Sequence, residues 1–543
     1  MSVCKVPGHF AHVLDTKAEE TPNLEVVAFE NGAHAGEVLT YATIVTAGRK
    51  LAVALQQAGI GKGDVLSLVM RNHPEFIFAL YATTCLGAIL LPVDPRTKGD
   101  RLQYVLRDSG AKGIIFTSEF MGNVAPVLKN LSNIRVVGVA CKQGMDEPAA
   151  SHWPDLQEIF LGPELPPPDQ RSDDLNAPME IIYTSGTTGD PKGVMIKINR
   201  LAGFAQLAQL VWQYRKEDRL YTGLSLTHGN AQAVTLIPSI LLGIPSVISQ
   251  KFTKSRIWDI CRQYGCTTFS LLGGMMMGIY SEPEKPDDAD NPVRLILSAG
   301  TPRAIWEQFE NRFGVLIHEW YGAVEGGFAH KPPGIGPIGS FGKPLDGLME
   351  MKVFRGDDSE CGHAETGEIV CRTLGQKTEV DYVGKKEASE KKTRGGWLRT
   401  GDMGHIDENG WFFFDYRKGG GLRRAGDFIQ PDTVESVLAG HPDVSDVCVY
   451  GIPAASGAPG ESDLVAAVVL ISGVEADLKS LFQTCKDNLD GNAIPSYIQV
   501  VEEIPKSASE KNLDRLLKND FRPDAANVFA LKNGQQASDR IGT

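Results

Sequence analysis

Tyr183-Thr184-Ser185-Gly186-Thr187-Thr188-Gly189-Asp190-Pro191-Lys192-Gly193 sets four aliphatic hydroxyls, three glycines and one lysine within one short stretch. Glycine lets backbone N–H groups approach phosphate oxygens closely, the hydroxyls add donors, and Lys192 adds positive charge. The group therefore suits a polyphosphate. It is not a Walker A loop: no G-x-x-x-x-G-K-[ST] register fits, and Pro191 followed by the strand-like residues 194–196 excludes direct passage into a helix. Residues 180–184 also read as a strand, so the phosphate-binding loop joins two strands.

Outward from this loop, apolar runs at 65–70, 113–116 and 136–139 alternate with longer helix-like segments, the rhythm of strand and crossover helix. The fold class this predicts is α/β. Breaker-rich stretches at 162–174, 281–292 and 331–342 read as surface loops. Gly419-Gly420-Gly421 maximises backbone freedom and marks a junction where two packed units can pivot. Beyond it, strand-like runs at 444–450 and 464–471 accompany Leu478, Leu481, Phe482, Cys485 and Leu489, one apolar helix face. The expected organisation is a large domain over 1–418, a small mobile α+β domain over 419–520, and a tail over 521–543 without apolar periodicity.

A chain of 543 residues exceeds one ordinary compact core, which agrees with at least two domains. Its formal charge of -13 argues against nucleic acid or an anionic membrane as main partner. The lysines at 385, 386, 391 and 392 are interleaved with Glu387 and Glu390 and form no basic patch. Nine cysteines are scattered without CxxC pairs or metal-ligand spacing, so they read as reduced thiols of a cytoplasmic protein. Neither a signal peptide nor an apolar run of about 20 residues, the length of a membrane helix, is present.

The quoted stretch matches in full the signature [YF]-T-S-G-T-T-G-x-P-K-G, and the chain thereby resembles the adenylate-forming superfamily of acyl-CoA synthetases, peptide-synthetase adenylation domains and luciferases. The resemblance runs from Leu39-Thr40-Tyr41 and Gly61-Lys62-Gly63-Asp64 through Pro92-Val93-Asp94-Pro95 to Pro505-Lys506-Ser507-Ala508. It implies that Thr184, Ser185, Gly186, Thr187, Thr188, Gly189 and Lys192 cradle ATP. Trp320-Tyr321-Gly322-Ala323-Val324-Glu325 is similar to the family's Y-G-x-T-E. There Tyr321 and Gly322 would flank adenine, and Glu325 would hold Mg2+ with help from the Thr184 hydroxyl. Val324 replaces a threonine that in the family touches the α-phosphate.

By the same resemblance, Gly396-Trp397-Leu398-Arg399-Thr400-Gly401-Asp402 is the ribose motif, with Asp402 accepting from both ribose hydroxyls and Arg417 assisting. The family's R-x-[KD]-D becomes Arg417-Lys418-Gly419-Gly420, so either the pivot is looser or Lys418 supplies the charge. Arg423 and Gly426 lie in a turn resembling I-[KR]-x-x-G-E near the pantetheine channel. Pro505 to Lys511 resembles P-[KR]-T-x-x-G-K, whose last lysine, here Lys511, bridges the attacking carboxylate and the α-phosphate; Glu510 stands where the family has glycine. Leu224-Ser225-Leu226-Thr227-His228 resembles L-P-L-[FY]-H, which puts His228 against the acyl pocket and thioester channel. Ala299, Gly300 and Thr301, with residues 269–277, resemble the segments around that pocket. No acidic residue follows His228 over 229–242 to pair with a substrate amine.

The implied activity is an ATP-dependent carboxylate–CoA ligase working through an acyl-adenylate on an apolar aliphatic, alicyclic or aromatic acid. ATP, Mg2+ and CoA are the implied cofactor and co-substrates, and the resemblance allows a homodimer. Two alternatives stay open from sequence: a stand-alone enzyme loading a carrier protein, and an acyl- or nucleotide-binding homologue with weak catalysis.

Overall fold

Val65–Val69 and Ile89–Val93 are buried at every position, as strands without polar alternation must be when both faces of a parallel sheet are covered. In the computed structural model, which describes residues 9–140, 153–163, 166, 168, 174–184, 191–418, 421–424, 427–455, 462–474, 477–507, 510–532 and 535–536, they lie inside a 6-stranded sheet. Its order is Arg135–Ala140, Ala111–Thr117, Val65–Val69, Ile89–Val93, Pro178–Thr184 and Lys192–Lys197. All neighbours are parallel except the last pair, an antiparallel hairpin. The α/β reading from sequence holds.

Strand alternation feeds two cores. Leu66 and Leu68 face one that also holds Phe29, Val247 and Phe269, whereas Val65 and Val69 face another with Leu102 and Val105. The helix Pro74–Leu86 lies in the first core and is buried at all 13 positions, starting on a proline and ending at left-handed Gly87. A helix that is apolar on every side needs cover on every side. Here the helix Tyr41–Gln57 packs closely along it, a Cβ at Gly48 falling 2.3 Å from the Tyr81 ring, and strands of both the 6-stranded sheet and a 13-stranded sheet share the same core.

The larger sheet is parallel through Leu220–Thr222, Thr268–Leu272, Leu295–Ala299 and Leu316–Ala323, then turns antiparallel from Gly326–Lys331 onward. Its antiparallel end includes Leu398–Ile406 and Phe412–Arg417. A third core joins this end to the hairpin, with Ile182, Val194 and Ile196 against Met351, Ile369 and Leu398. Ile181 and Ile182 thus point into different cores. That double anchorage fixes where the hairpin presents its tip.

A separate 5-stranded sheet contains Val444–Pro453, Ser462–Leu470, Tyr497–Val500, Val528–Lys532 and Gln535–Gln536. The helices Pro431–Ala439 and Leu478–Asn488 cover it through Val434, Leu438, Leu481, Phe482 and Cys485. The region expected to be a tail differs from its reading. Val528–Lys532 pairs with Tyr497–Val500, and Phe521 is buried with its ring 5.4 Å from that of Tyr497. A short strand and one aromatic anchor have too few residues to show periodicity. Among the described residues no helix is long and apolar enough to cross a membrane.

Candidate active site

The hairpin that carries the phosphate-loop motif pairs Tyr183 with Gly193 and Thr184 with Lys192. Gly193 is demanded by packing, since a Cβ there would lie 2.8 Å from Ile181 and 2.9 Å from the Tyr183 ring. Tyr183 is tied down in turn, donating its hydroxyl to Asp108 Oδ2 at 2.8 Å, with Lys385 Nζ 2.5 Å from the other oxygen. The tip with Ser185, Gly186, Thr187, Thr188 and Gly189 lies outside the described residues. At its base Thr184 donates to the Lys192 carbonyl at 3.4 Å, and Lys192 Nζ stands 5.3 Å from the centre of the Tyr382 ring.

Across the cleft, the end of Leu316–Ala323 carries Tyr321, whose ring stacks on Phe341 at 4.4 Å. Its hydroxyl donates to Asp402 Oδ2 at 2.6 Å, and Arg417 Nε donates to Oδ1 at 2.6 Å. Asp402 and Arg417 face each other on neighbouring strands, so sheet register alone delivers the second contact. Asp402 is only 3% exposed, and two donors fix its carboxylate before any ligand arrives. Against the cost of burial, Asp402 pushes the Arg417 guanidinium above its ordinary range.

Glu325 follows this strand. Tyr382 donates to its Oε1 at 2.8 Å and Lys392 Nζ is 4.0 Å away. Arg200 holds the preceding backbone, donating to the Ala323 carbonyl at 3.0 Å and to the Val324 carbonyl. Behind the cleft, buried Glu319 accepts from the Gly300 amide at 2.6 Å, the Thr301 amide at 3.2 Å and the Thr301 hydroxyl at 2.5 Å. The amides of Gly300 and Thr301 therefore serve the protein itself, and only the rest of the Ala299-Gly300-Thr301 turn faces the cleft. Burial lifts the Glu319 carboxyl to about 7, although these bonds oppose it.

The small unit contributes Lys511. Its loop closes through a bridge between Lys506 and Asn512, with the Ser507 amide donating to the Lys511 carbonyl at 2.8 Å and the Lys511 amide to Ser507 Oγ at 3.1 Å. Glu510 adopts φ +54, the left-handed region in which glycine is at ease. Arg96 of the large unit donates to the Lys506 carbonyl at 3.2 Å and docks the loop. Gly274 belongs to the same contact, since a Cβ there would lie 3.2 Å from Lys506 Nζ. Lys511 Nζ then sits in the field of Arg417, Asp402 and Glu325. Its ammonium is shifted below the usual lysine range by burial first and by Arg417 second, against the pull of the two carboxylates. His228 lies under the same cation, and burial together with Lys511 lowers its imidazole to about 4. His228 Nδ1 accepts from the Asn230 amide at 3.2 Å, as a neutral ring does.

One cleft of about 4510 Å³ is lined by Thr184, Lys192, His228, Ala299, Gly300, Thr301, Tyr321, Gly322, Glu325, Asp402, Arg417 and Lys511. The residues brought together by motif are therefore together in space. Gly419, Gly420 and Gly426 lie outside the described residues, as does the Arg423 side chain; Lys418 turns to Glu368 at 3.9 Å. Sequence reasoning missed Arg200, Tyr382 and Lys392. Lys392 sits in a run of mixed charge that reads as a solvated face, and Arg200 and Tyr382 carry no local signal.

The AMP-binding enzyme family model matches residues 14–376, and its C-terminal domain model matches residues 433–511. The crotonobetaine/carnitine–CoA ligase of Salmonella typhimurium is 27% identical over 496 residues, covering 88% of this chain and 93% of the relative. The o-succinylbenzoate CoA synthetase of Bacillus subtilis, bound to its acyl-adenylate OSB-AMP, superposes with TM-score 0.77 at 25% identity, over 94% of this chain and 98% of that one. The same enzyme with ATP and magnesium superposes with TM-score 0.75 at 25% identity over the same 94% and 98%. An anthranilate CoA ligase bound to anthranoyl-AMP shares the fold, with TM-score 0.81 at 22% identity over 96% of this chain and 98% of that chain. With the family match covering most of its length and the family's motifs lining one cleft, the chain belongs to the AMP-binding enzyme family.

Proposed function

We propose that this chain is an ATP-dependent acid–CoA ligase that converts a carboxylic acid to its adenylate and then to its CoA thioester. The observation that carries the reading is Lys511: a lysine of the small unit stands among Glu325, Asp402 and Arg417 of the large one. A carboxylate is a poor acyl donor, and adenylation gives it a good leaving group. In the first half-reaction the acid attacks the α-phosphate and pyrophosphate leaves. Negative charge builds on the phosphoryl oxygens there, and a fixed ammonium at that point stabilises the transition state more than the ground state.

Asp402 orients the ribose through two acceptor oxygens already aligned by Tyr321 and Arg417. Lys192 and the hydroxyl-rich loop take the outer phosphates. Magnesium fits the donor set, because Glu325 offers a hard carboxylate oxygen to the cleft, and when bound it would neutralise phosphate charge. Neutral His228 adds no second cation beside Lys511 and is suited to the thiol half-reaction, in which the small unit would turn about residues 419–421. The relatives named above are CoA ligases, which supports CoA over a carrier-protein thiol.

Phe204, Leu207, Trp212, Met277 and Phe328 line the same cleft and give an apolar wall for the acid. This supports an apolar aliphatic, alicyclic or aromatic substrate. All seven described cysteines are buried thiols, which supports a reducing, cytoplasmic setting. The homodimer is a proposal for sedimentation velocity to test. The functional test is a carboxylic-acid panel read by pyrophosphate release with and without CoA. Acid-dependent release with thioester formed only from CoA is expected, and tight ATP binding without release for any acid would contradict the reading.

A further inference from the structure

Outside the motif segments, His34 and His73 meet with their Nε2 atoms 2.5 Å apart, and both are 5% exposed. Two ring nitrogens at that separation repel unless a cation lies between them. Behind the rings, His34 Nδ1 is 2.6 Å from Glu37 Oε2, and His73 Nδ1 lies against Glu75 Oε2 in a contact that is not a hydrogen bond. Glu75 is 3% exposed, and its other oxygen accepts from Gln157 Nε2 at 3.3 Å. With Glu37 against its Nδ1, the His34 ring turns its Nε2 toward the Nε2 of His73. A carboxylate hydrogen-bonded behind an imidazole, as Glu37 is behind His34, is the arrangement that fixes tautomer and raises basicity in metal-ligating histidines.

We propose that His34 and His73 bind one divalent transition-metal ion of the zinc class through their Nε2 atoms, with the Glu75 carboxylate beside the pair. The ligand atoms of all three residues lie within 4.8 Å of one another. Two nitrogens on a tetrahedral zinc stand roughly 3.3 Å apart, so the rings open by less than 1 Å. Imidazole favours zinc-class ions over magnesium, which keeps this site distinct from any at Glu325. The ion would be structural. Neighbouring Asn72 donates to the Leu224 and Ser249 carbonyls, each at 2.8 Å, and accepts from the Leu226 amide at 2.7 Å, so it pins the segment leading to His228.

The test strips the full chain with a chelator and titrates it with Co2+, following visible absorption and retained metal after gel filtration. One equivalent per chain, displaced by Zn2+ and raising the melting temperature, is expected. His34→Ala and His73→Gln should bind about 100-fold more weakly and Glu37→Gln about 10-fold. His34→Ala should still release pyrophosphate, which separates this site from the catalytic cleft. The wild-type titration decides even if a variant misfolds. No tight equivalent in the wild type, meaning that the pair shares only a proton, overturns the proposal, as does unchanged binding in folded His34→Ala.

Discussion

Tyr382 donates its hydroxyl to Glu325 Oε1 at 2.8 Å and stands 5.3 Å, at its ring centre, from Lys192 Nζ. One residue without a motif thus braces both the carboxylate proposed for magnesium and the lysine at the base of the phosphate loop. Tyr382→Phe keeps the ring beside Lys192 and removes only the hydrogen bond to a charged group, worth about 1.5 kcal/mol or more. Pyrophosphate release at limiting MgATP should fall about 10-fold, with a smaller change at saturation. Initial rates over a magnesium titration check this.

Val324 precedes Glu325, and its carbonyl is held by Arg200. If the family's threonine hydroxyl is what this position lacks, Val324→Thr restores a donor without moving the backbone that Arg200 fixes. A hydrogen bond to a charged phosphate is worth about 1.5 to 3 kcal/mol, so kcat/KM for adenylation should rise at least about 10-fold. Steady-state kinetics of the variant measure it.

Glu510 holds φ +54 in the loop that presents Lys511. A non-glycine residue in that region carries a cost of about 1 kcal/mol or more, and a β-branched residue carries more still. Glu510→Gly relieves the strain while loosening the unfolded chain by a similar amount, so the melting temperature should change little. Glu510→Val should lower it clearly. Differential scanning calorimetry of the pair distinguishes backbone strain from loss of the carboxylate, which both substitutions share.

Burial holds the Glu180 carboxyl at about 7, although Gln232 Nε2 donates to its Oε1 at 2.6 Å. A folded-state value raised above the unfolded one favours the protonated form. Its contribution to stability is full below the unfolded value near 4.5 and is lost as pH rises through about 7. Glu319 acts with the same sign in the same window. Glu180→Gln keeps an acceptor for Gln232 and removes the titration. Relative to wild type it should gain stability on the order of 3 kcal/mol between pH 5 and pH 8. Melting temperatures across that range report it.

The phosphate-loop hairpin, the crossover strands and the Lys511 loop were legible because each is written in contiguous residues with a local period or motif. Asp402 and Arg417 were legible too, and the structure adds why they lie together: they are register partners on adjacent strands. Residues that work through tertiary contact alone stayed hidden. Arg200, Tyr382 and Lys392 reach the site from separate stretches of chain, and their neighbours in sequence say nothing of Glu325. Glu319 was hidden for a related reason, since it occupies the amides of Gly300 and Thr301, residues that sequence placed at the pocket. The strand Val528–Lys532 of the small sheet was missed because its five residues gain their partner only in the fold.

The central claim is that Lys511 serves adenylation and not thioester formation. Lys511→Ala should be measured in the two halves separately: acid-dependent pyrophosphate release from ATP, and CoA thioester formation from a supplied acyl-adenylate. The account predicts that the first falls by several orders of magnitude while the second stays within a few-fold of wild type. Equal loss in both halves, or retention of the first, would contradict it.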